Sequence, residues 1–250
     1  MNGLRYTFRA LFRNRGFALI AVLILALGIG ANIAVFSVVN TILLRPLPFP
    51  DAQRLVRIVE KNPRSGESSK TYTADATQDF QQQNQSFQSV SGYFAFTSPD
   101  NFKLVGNDQP VPVTGLLVAD GFFQTLGVEP SLGRLYRSEE FVQHAPPVVL
   151  LSNPFWRRQF GGDRAIVGRT IHMNNTLVTV IGVLPATFDF GAVFSPGAKI
   201  DLFAPYIMDD FRDDGNDLAL FGRLKPGDIG AGPERSRSTV SAALFRTQAS

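Results

Sequence analysis

From Gly16 to Leu44 the chain carries no Asp, Glu, Lys, Arg or His, with Arg15 opening the stretch and Arg45 closing it. A helix at a protein–water boundary buries one face and wets the other. Here no polar face exists at any period. Roughly 20 apolar helical residues cross a ~30 Å hydrocarbon core, so the pattern predicts a transmembrane helix over 16–44. Ala26, Gly30 and Ala34 recur at every fourth position, a spacing that lets a second helix approach closely. Asn32 and Asn40 are candidates for interhelical hydrogen bonds. The plainer reading is that small residues are common in membrane helices generally.

The flanks set the orientation. Residues 1–15 predict an amphipathic segment on the cytoplasmic side. Leu4, Phe8, Leu11 and Phe12 fall at helical spacing beside a stripe of Arg5, Arg9 and Arg13, a pattern suited to the lipid headgroup layer. The N-terminal flank carries four arginines, Arg5, Arg9, Arg13 and Arg15, and no acid, whereas Arg45, Arg54 and Arg57 on the distal flank are mixed with Asp51 and Glu60. The positive-inside rule then puts the N-terminus in the cytoplasm and everything after Pro46 outside it. A cleaved signal peptide is the competing reading. The apolar run is too long for one, and no small-x-small cleavage site precedes Arg45. The three alternating prolines Pro46, Pro48 and Pro50 enforce extended backbone, a stiff exit from the helix.

Beyond the exit the pattern is mixed. Strands are predicted at Leu55–Val59, Tyr93–Phe96, Phe102–Val105, Val111–Leu117, Val148–Leu151, Leu202–Pro205 and Leu218–Leu224. Arg169–Met173 and Thr176–Val183 flank the turn signal Asn174-Asn175 and predict a hairpin. Asp75 is a candidate N-cap for a helix with an apolar face of Ala76, Phe80, Phe87 and Val90. Asp120 is the expected cap of a short helix carrying Phe122, Phe123 and Leu126, which Gly127 closes. Ser152 or Asn153 caps a third, with Pro154 in its first turn and Gly161-Gly162 at its end. Hairpins outnumber βαβ units, so the predicted class is α+β and not a doubly wound sheet.

Charge and motifs narrow the function. A net charge of +3 without a basic run interleaved with aromatics argues against nucleic-acid binding. The absence of cysteine excludes disulfides and thiolate metal sites. Gly28-Ile29-Gly30 starts like a dinucleotide fingerprint, but Ile33 stands where the third glycine belongs. No G-x-x-x-x-G-K-[ST] occurs, so ATP hydrolysis by this chain is not expected. Ser152 lacks a G-x-S-x-G setting. His144 and His172 are isolated. Asp209, Asp210, Asp213, Asp214 and Asp217 do not fit a calcium loop, because Arg212 falls on a ligand position and Phe221 on the closing one. They read as a solvated loop. No catalytic, cofactor-binding or metal-binding residue is expected, and the chain is not expected to be an enzyme.

Leu27-Gly-Ile-Gly-Ala-Asn-Ile-Ala-Val-Phe-Ser-Val-Val-Asn-Thr-Ile-Leu-Leu-Arg-Pro-Leu-Pro-Phe49 closely resembles the first membrane helix and exit of MacB-type ABC transporter permeases, in the FtsX-like superfamily. It looks most like the orphan permease branch described from acidobacteria. Asp120–Val128, Gly133-Arg134, Leu151–Asp163, Val167–Arg169, Ile181–Phe188 and Arg223-Leu-Lys-Pro-Gly227 resemble that family's periplasmic core. The resemblance covers about residues 1–227. It implies one span, then an extracytoplasmic core of two small α+β subdomains over 46–227, then three further spans in family members. It also implies membrane lipid as surroundings, a second permease copy packed through Ala26, Gly30 and Ala34, and a separate cytoplasmic ATPase. The location implied is a bacterial inner (plasma) membrane. In the best-understood members the membrane part transmits the ATPase's motion to the outer domain, and the Pro46–Pro50 exit suits that role.

No second run of spanning length follows Leu44, and residues 228–250 read as an irregular tail. The expectation is a truncated or frame-shifted permease, or an isolated first half. A single-span sensor or adaptor with an extracytoplasmic ligand is the alternative, and a membrane-tethered enzyme is the third class.

Overall fold

The computed structural model describes residues 15–39, 49–61, 68–83, 86–106, 109–212, 215, 217–226 and 240–244. Of residues 15, 17, 18, 21, 34–39, 60, 61, 68, 83 and 240–244 the backbone alone is described. The chain divides into two compact units, Met1–Pro46 with Thr247–Ser250, and Leu47–Arg246.

The described part of the first unit is one helix, α1 (Arg15–Val39), 25 residues long. Its apolar side chains face outward all around, from Ile29 at 55% exposed to Leu27 at 79%. Judged on the described side chains alone, which run unbroken only over 22–33, no helix is long and apolar enough to cross a membrane. The expected amphipathic segment 1–14, and the end of the expected span at 40–44, lie outside the described residues.

The second unit is built on a 13-stranded sheet. Its strands are β1 (Leu55–Lys61), β2 (Ser68–Ser69), β3 (Phe87–Phe94), β4 (Phe102–Val105), β5 (Val111–Val113), β6 (Gly115–Val118) and β7 (Leu132–Gly133), then β8 (Val148–Leu151), β9 (Thr170–Met173), β10 (Thr176–Val183), β11 (Leu202–Pro205), β12 (Leu218–Leu224) and β13 (Val240–Leu244). Among the described residues four α-helices accompany it: α2 (Ala74–Gln83), α3 (Phe122–Leu126), α4 (Asn153–Phe160) and α5 (Phe190–Val193). The sheet order is β13-β1-β12-β3-β6-β11-β8-β10-β9-β4-β5, with β2 on β1 and β7 on β10. Only β6–β11 and β8–β10 run parallel; the other pairings are antiparallel. The mixed sheet is the predicted α+β class.

Strand alternation sorts the core into three clusters, because successive side chains leave opposite faces of a strand. Val148 and Leu150 of β8 enter a central cluster, while Val149 and Leu151 enter a second one with Phe155 and Trp156 of α4. In β12, Ala219 and Phe221 enter the same central cluster, while Leu218 and Leu220 enter a third with Phe80 of α2. Of the two outer clusters, one is packed by α4 and the other by α2. The central cluster is dominated by aromatic rings. Phe122 packs on Phe123 at 5.0 Å and on Phe221 at 5.3 Å, and Tyr93 packs edge-on to Phe190 at 5.1 Å. The Tyr136 hydroxyl donates to Phe203 O (2.5 Å) and accepts from Leu150 N (3.1 Å). Burial holds its pKa well above that of an ordinary tyrosine.

Several local expectations are corrected by competing contacts. The face of Ala76, Phe80, Phe87 and Val90 does not lie on one helix. α2 stops at Gln83, and Phe87 and Val90 point into the third cluster from β3. The spacing that looked helical is shared by two elements. Thr73, not Asp75, caps α2, its Oγ1 accepting from Ala76 N at 3.1 Å. α3 is preceded by Gly121 in the left-handed region (φ 75°), not capped by Asp120. The run Val111–Leu117 is split at Thr114, whose N–H donates to the Asp201 carboxylate at 3.1 Å. Within the stretch read as an irregular tail, Val240–Leu244 adds to the edge of β1. The segment reads Val-Ser-Ala-Ala-Leu, too short and too small in its side chains to give a period-two signal.

Candidate coupling site

The second unit is fastened where the chain enters it from the exit segment. Phe49 is buried among the aromatic rings, 6.1 Å from Phe188 between centroids. Pro50 follows, and its ring lies 3.3 Å from where a Cβ on Gly127 would stand. Gly127 closes α3 with φ 70°, so a side chain there would meet both backbone strain and the proline. Asp51 adopts the left-handed region at φ 48°. Its carbonyl accepts from Arg54 N at 2.9 Å, which turns the chain into β1.

Two arginines hold this lead-in. Arg223, on β12, donates from Nε to Thr125 O (2.9 Å) and from Nη1 to Pro50 O (2.9 Å) and Asp51 O (3.5 Å). The residue is 8% exposed. Burial, then the nearby Arg54 cation, lowers its pKa from the ordinary arginine value, while Asp51 opposes the shift. Its fork satisfies carbonyls at the end of α3 and along the lead-in at once, which a point-charge ammonium cannot reproduce. Arg54 donates from Nε to Leu224 O (2.9 Å) and from Nη2 to Gln88 Oε1 (2.5 Å), and pairs with Asp51 at 3.5 Å. Exit, β1, β12 and α3 thus meet through backbone carbonyls and two guanidinium groups. Such a joint does no bond chemistry; it fixes positions.

The sequence pointed to Arg223 only as part of a motif. Its signal is a lone cation inside the apolar run Leu218–Leu224. Of the helix-packing residues, Ala26 and Gly30 are exposed on α1, and nothing lies within 4 Å of a Cβ built on Gly30. Ala34 lies among the residues without described side chains. Asn32 Nδ2 donates back to Gly28 O at 2.9 Å, and Asn40 lies outside the described residues. Of the exit prolines, only Pro50 is described.

The acidic loop is not uniformly solvated. Asp217 is 4% exposed and accepts from the Tyr206 hydroxyl at 2.7 Å. Asp209 pairs with Arg212 at 2.8 Å, and Asp210 accepts from Gln143 at 3.0 Å. Asp213 and Asp214 lie outside the described residues. Among the described residues, no group of three or more His, Asp or Glu is placed to hold a metal. His144 sits in a turn with φ 65° and His172 on β9.

No curated protein matches the chain. The solved structures that match share the fold at low identity. A domain of a protein assigned as a permease from Porphyromonas gingivalis aligns at 15% identity and TM-score 0.54, covering 81% of this chain and 95% of its own. The extracellular domain of the noncanonic ABC-type transporter YknZ from Gram-positive bacteria aligns at 12% identity and TM-score 0.51, covering 76% and 99%. The MacB-like periplasmic core domain family matches residues 18–230, a range that includes the joint just described. The chain therefore belongs to the MacB-like periplasmic core domain family, the extracytoplasmic domains of ABC transporter permeases.

Proposed function

We propose that the chain is a membrane permease subunit that carries force or position, not substrate chemistry, from a separate cytoplasmic ATPase to work outside the cytoplasm. In this reading residues 1–15 lie on the cytoplasmic surface of a bacterial inner membrane, 16–44 span it, and the core from residue 46 works on the far side. Within 228–250, Val240–Leu244 returns to the core by pairing with β1. A second copy packs through Ala26, Gly30 and Ala34.

One observation carries the reading. α1 exposes Leu19, Ile20, Val22, Leu23, Ile24, Leu25, Leu27, Ile29 and Ile33 at 55–79% each, around its whole circumference. Water does not solvate such a surface, and lipid does. Its 25 residues rise about 37 Å at 1.5 Å each, against a hydrocarbon core of ~30 Å. Family membership supports the extracytoplasmic setting of the core.

Purification in mild detergent from the native host tests this. A permease subunit brings down a P-loop ATPase and a second, differently tagged copy of itself. Recovery alone, or with a signalling protein, would favour a single-span sensor or adaptor instead.

A further inference from the structure

Among the described residues of the core, two charged side chains are buried, Asp217 at 4% and Arg223 at 8% exposed. Both belong to one strand: Arg223 lies near the end of β12, and Asp217 immediately precedes its start. Buried charge is costly to keep, so two at opposite ends of a single strand call for an explanation. We propose that β12 is a strut pinned at both ends, with Arg223 and Tyr206 as the positioning residues that fix the lead-in and the opposite turn to it. The proposal rests on the coupling reading above and deepens it.

At the lead-in end, the Arg223 fork gathers Thr125 O, Pro50 O and Asp51 O. At the other end, the Asp217 carboxylate accepts from Tyr206, its N–H donates to Tyr72 O (3.1 Å), and its carbonyl accepts from Ala95 N (2.8 Å). Tyr206 stacks on Phe211 with centroids 4.5 Å apart and planes 19° apart. Phe211 closes the helical turn Met208–Phe211, which Arg212 ties to Asp75 of α2 and to Asp209. The pins lie six residue steps apart, about 20 Å at the usual rise. Between them β12 is buried; β3 pairs with it along its length, and its other edge pairs with β1 at Phe221–Arg223 and bridges to Tyr72 at Leu218. A strand paired on both edges and packed on both faces resists bending. Displacement of the lead-in would therefore reach the Met208–Phe211 turn with little loss.

The chain has no cysteine, so introduced pairs can be spin-labelled without background. The full chain in detergent, without any ATPase, carries labels at Q53C and L177C to report the lead-in, or at M208C and L177C to report the opposite turn. Both distance distributions are expected to be narrow in the parent. R223Q is expected to roughly double the width of the first and leave the second alone, because only the lead-in loses its pin. Y206F is expected to do the reverse. R223K is expected to behave like R223Q, since an ammonium keeps the charge but not the fork, and it decides the matter if R223Q does not fold. A first distribution as narrow as the parent's in R223K, or equal widening of both pairs by either variant, would overturn the proposal. The readout needs no partner, so its failure is separable from failure of the co-purification.

Discussion

Leucine has opposite fates in the two units. Leu23 on α1 is 58% exposed, and Leu150 in the core is 0% exposed. Composition does not separate them; pattern does. In the core the apolar runs are short, and turn or cap residues at their ends show where water begins. In α1 no such boundary exists, so no packing against the chain itself can hide the helix. The comparison teaches that hydrophobicity alone marks a segment as buried, while periodicity says in what solvent it is buried.

The comparison breaks most easily in the core. Phe122→Ala removes a fully buried ring that packs on Phe123, Phe194 and Phe221. It should cost about 3–5 kcal/mol, read as a lowered denaturant midpoint. Leu23→Ala on α1 should leave that midpoint in place. If both substitutions unfold the core equally, the two units are not distinct. A charge on α1 tests the other side. Leu25→Arg should raise the cost of membrane insertion by about 2.5–3.5 kcal/mol and move protein out of the membrane fraction without lowering the core's midpoint.

Smaller effects sharpen the picture of the aromatic core. Tyr136→Phe leaves Leu150 N without its hydroxyl acceptor and Phe203 O without its donor. A loss of about 1–3 kcal/mol is expected in chemical denaturation. The smallest effect is the pH dependence of the Arg134–Glu140 pair. The hydrogen bond from Arg134 lowers the Glu140 pKa, with burial opposing it. A carboxylate whose folded pKa is depressed contributes stability that is present above its unfolded pKa and lost as pH falls through the folded one. The pair is partly exposed, so the contribution should stay under about 1 kcal/mol. Glu140→Gln should flatten that part of the acid limb in a pH series of melting curves.

Much of the fold was legible because local signals agreed with tertiary contacts. Val148–Leu151, Phe102–Val105, Leu202–Pro205 and Leu218–Leu224 appear with their predicted bounds. Each is a short apolar run bounded by turn residues. Ser152 caps α4 as one of its two candidates, accepting from Phe155 N at 3.4 Å. Where the signals split, tertiary contacts decided. Phe87 and Val90 matched a helical period yet joined a strand, because β3 is needed between β12 and β6. The joint was hardest to read. Arg223 meets Pro50 across 173 positions of sequence, and no local pattern encodes a partner at that distance. Asp217 was read with its acidic neighbours, while Tyr206, the residue that makes it different, sits eleven positions earlier.

The most direct test of a bilayer-embedded α1 with an extracytoplasmic core is accessibility of a single introduced cysteine. Leu177→Cys places a thiol on an exposed site of β10, 64% open in the parent side chain. In intact spheroplasts a membrane-impermeant maleimide should label it fully without lysis, with the protein pelleting with the membrane. Labelling only after lysis would put the core in the cytoplasm and contradict the proposed topology.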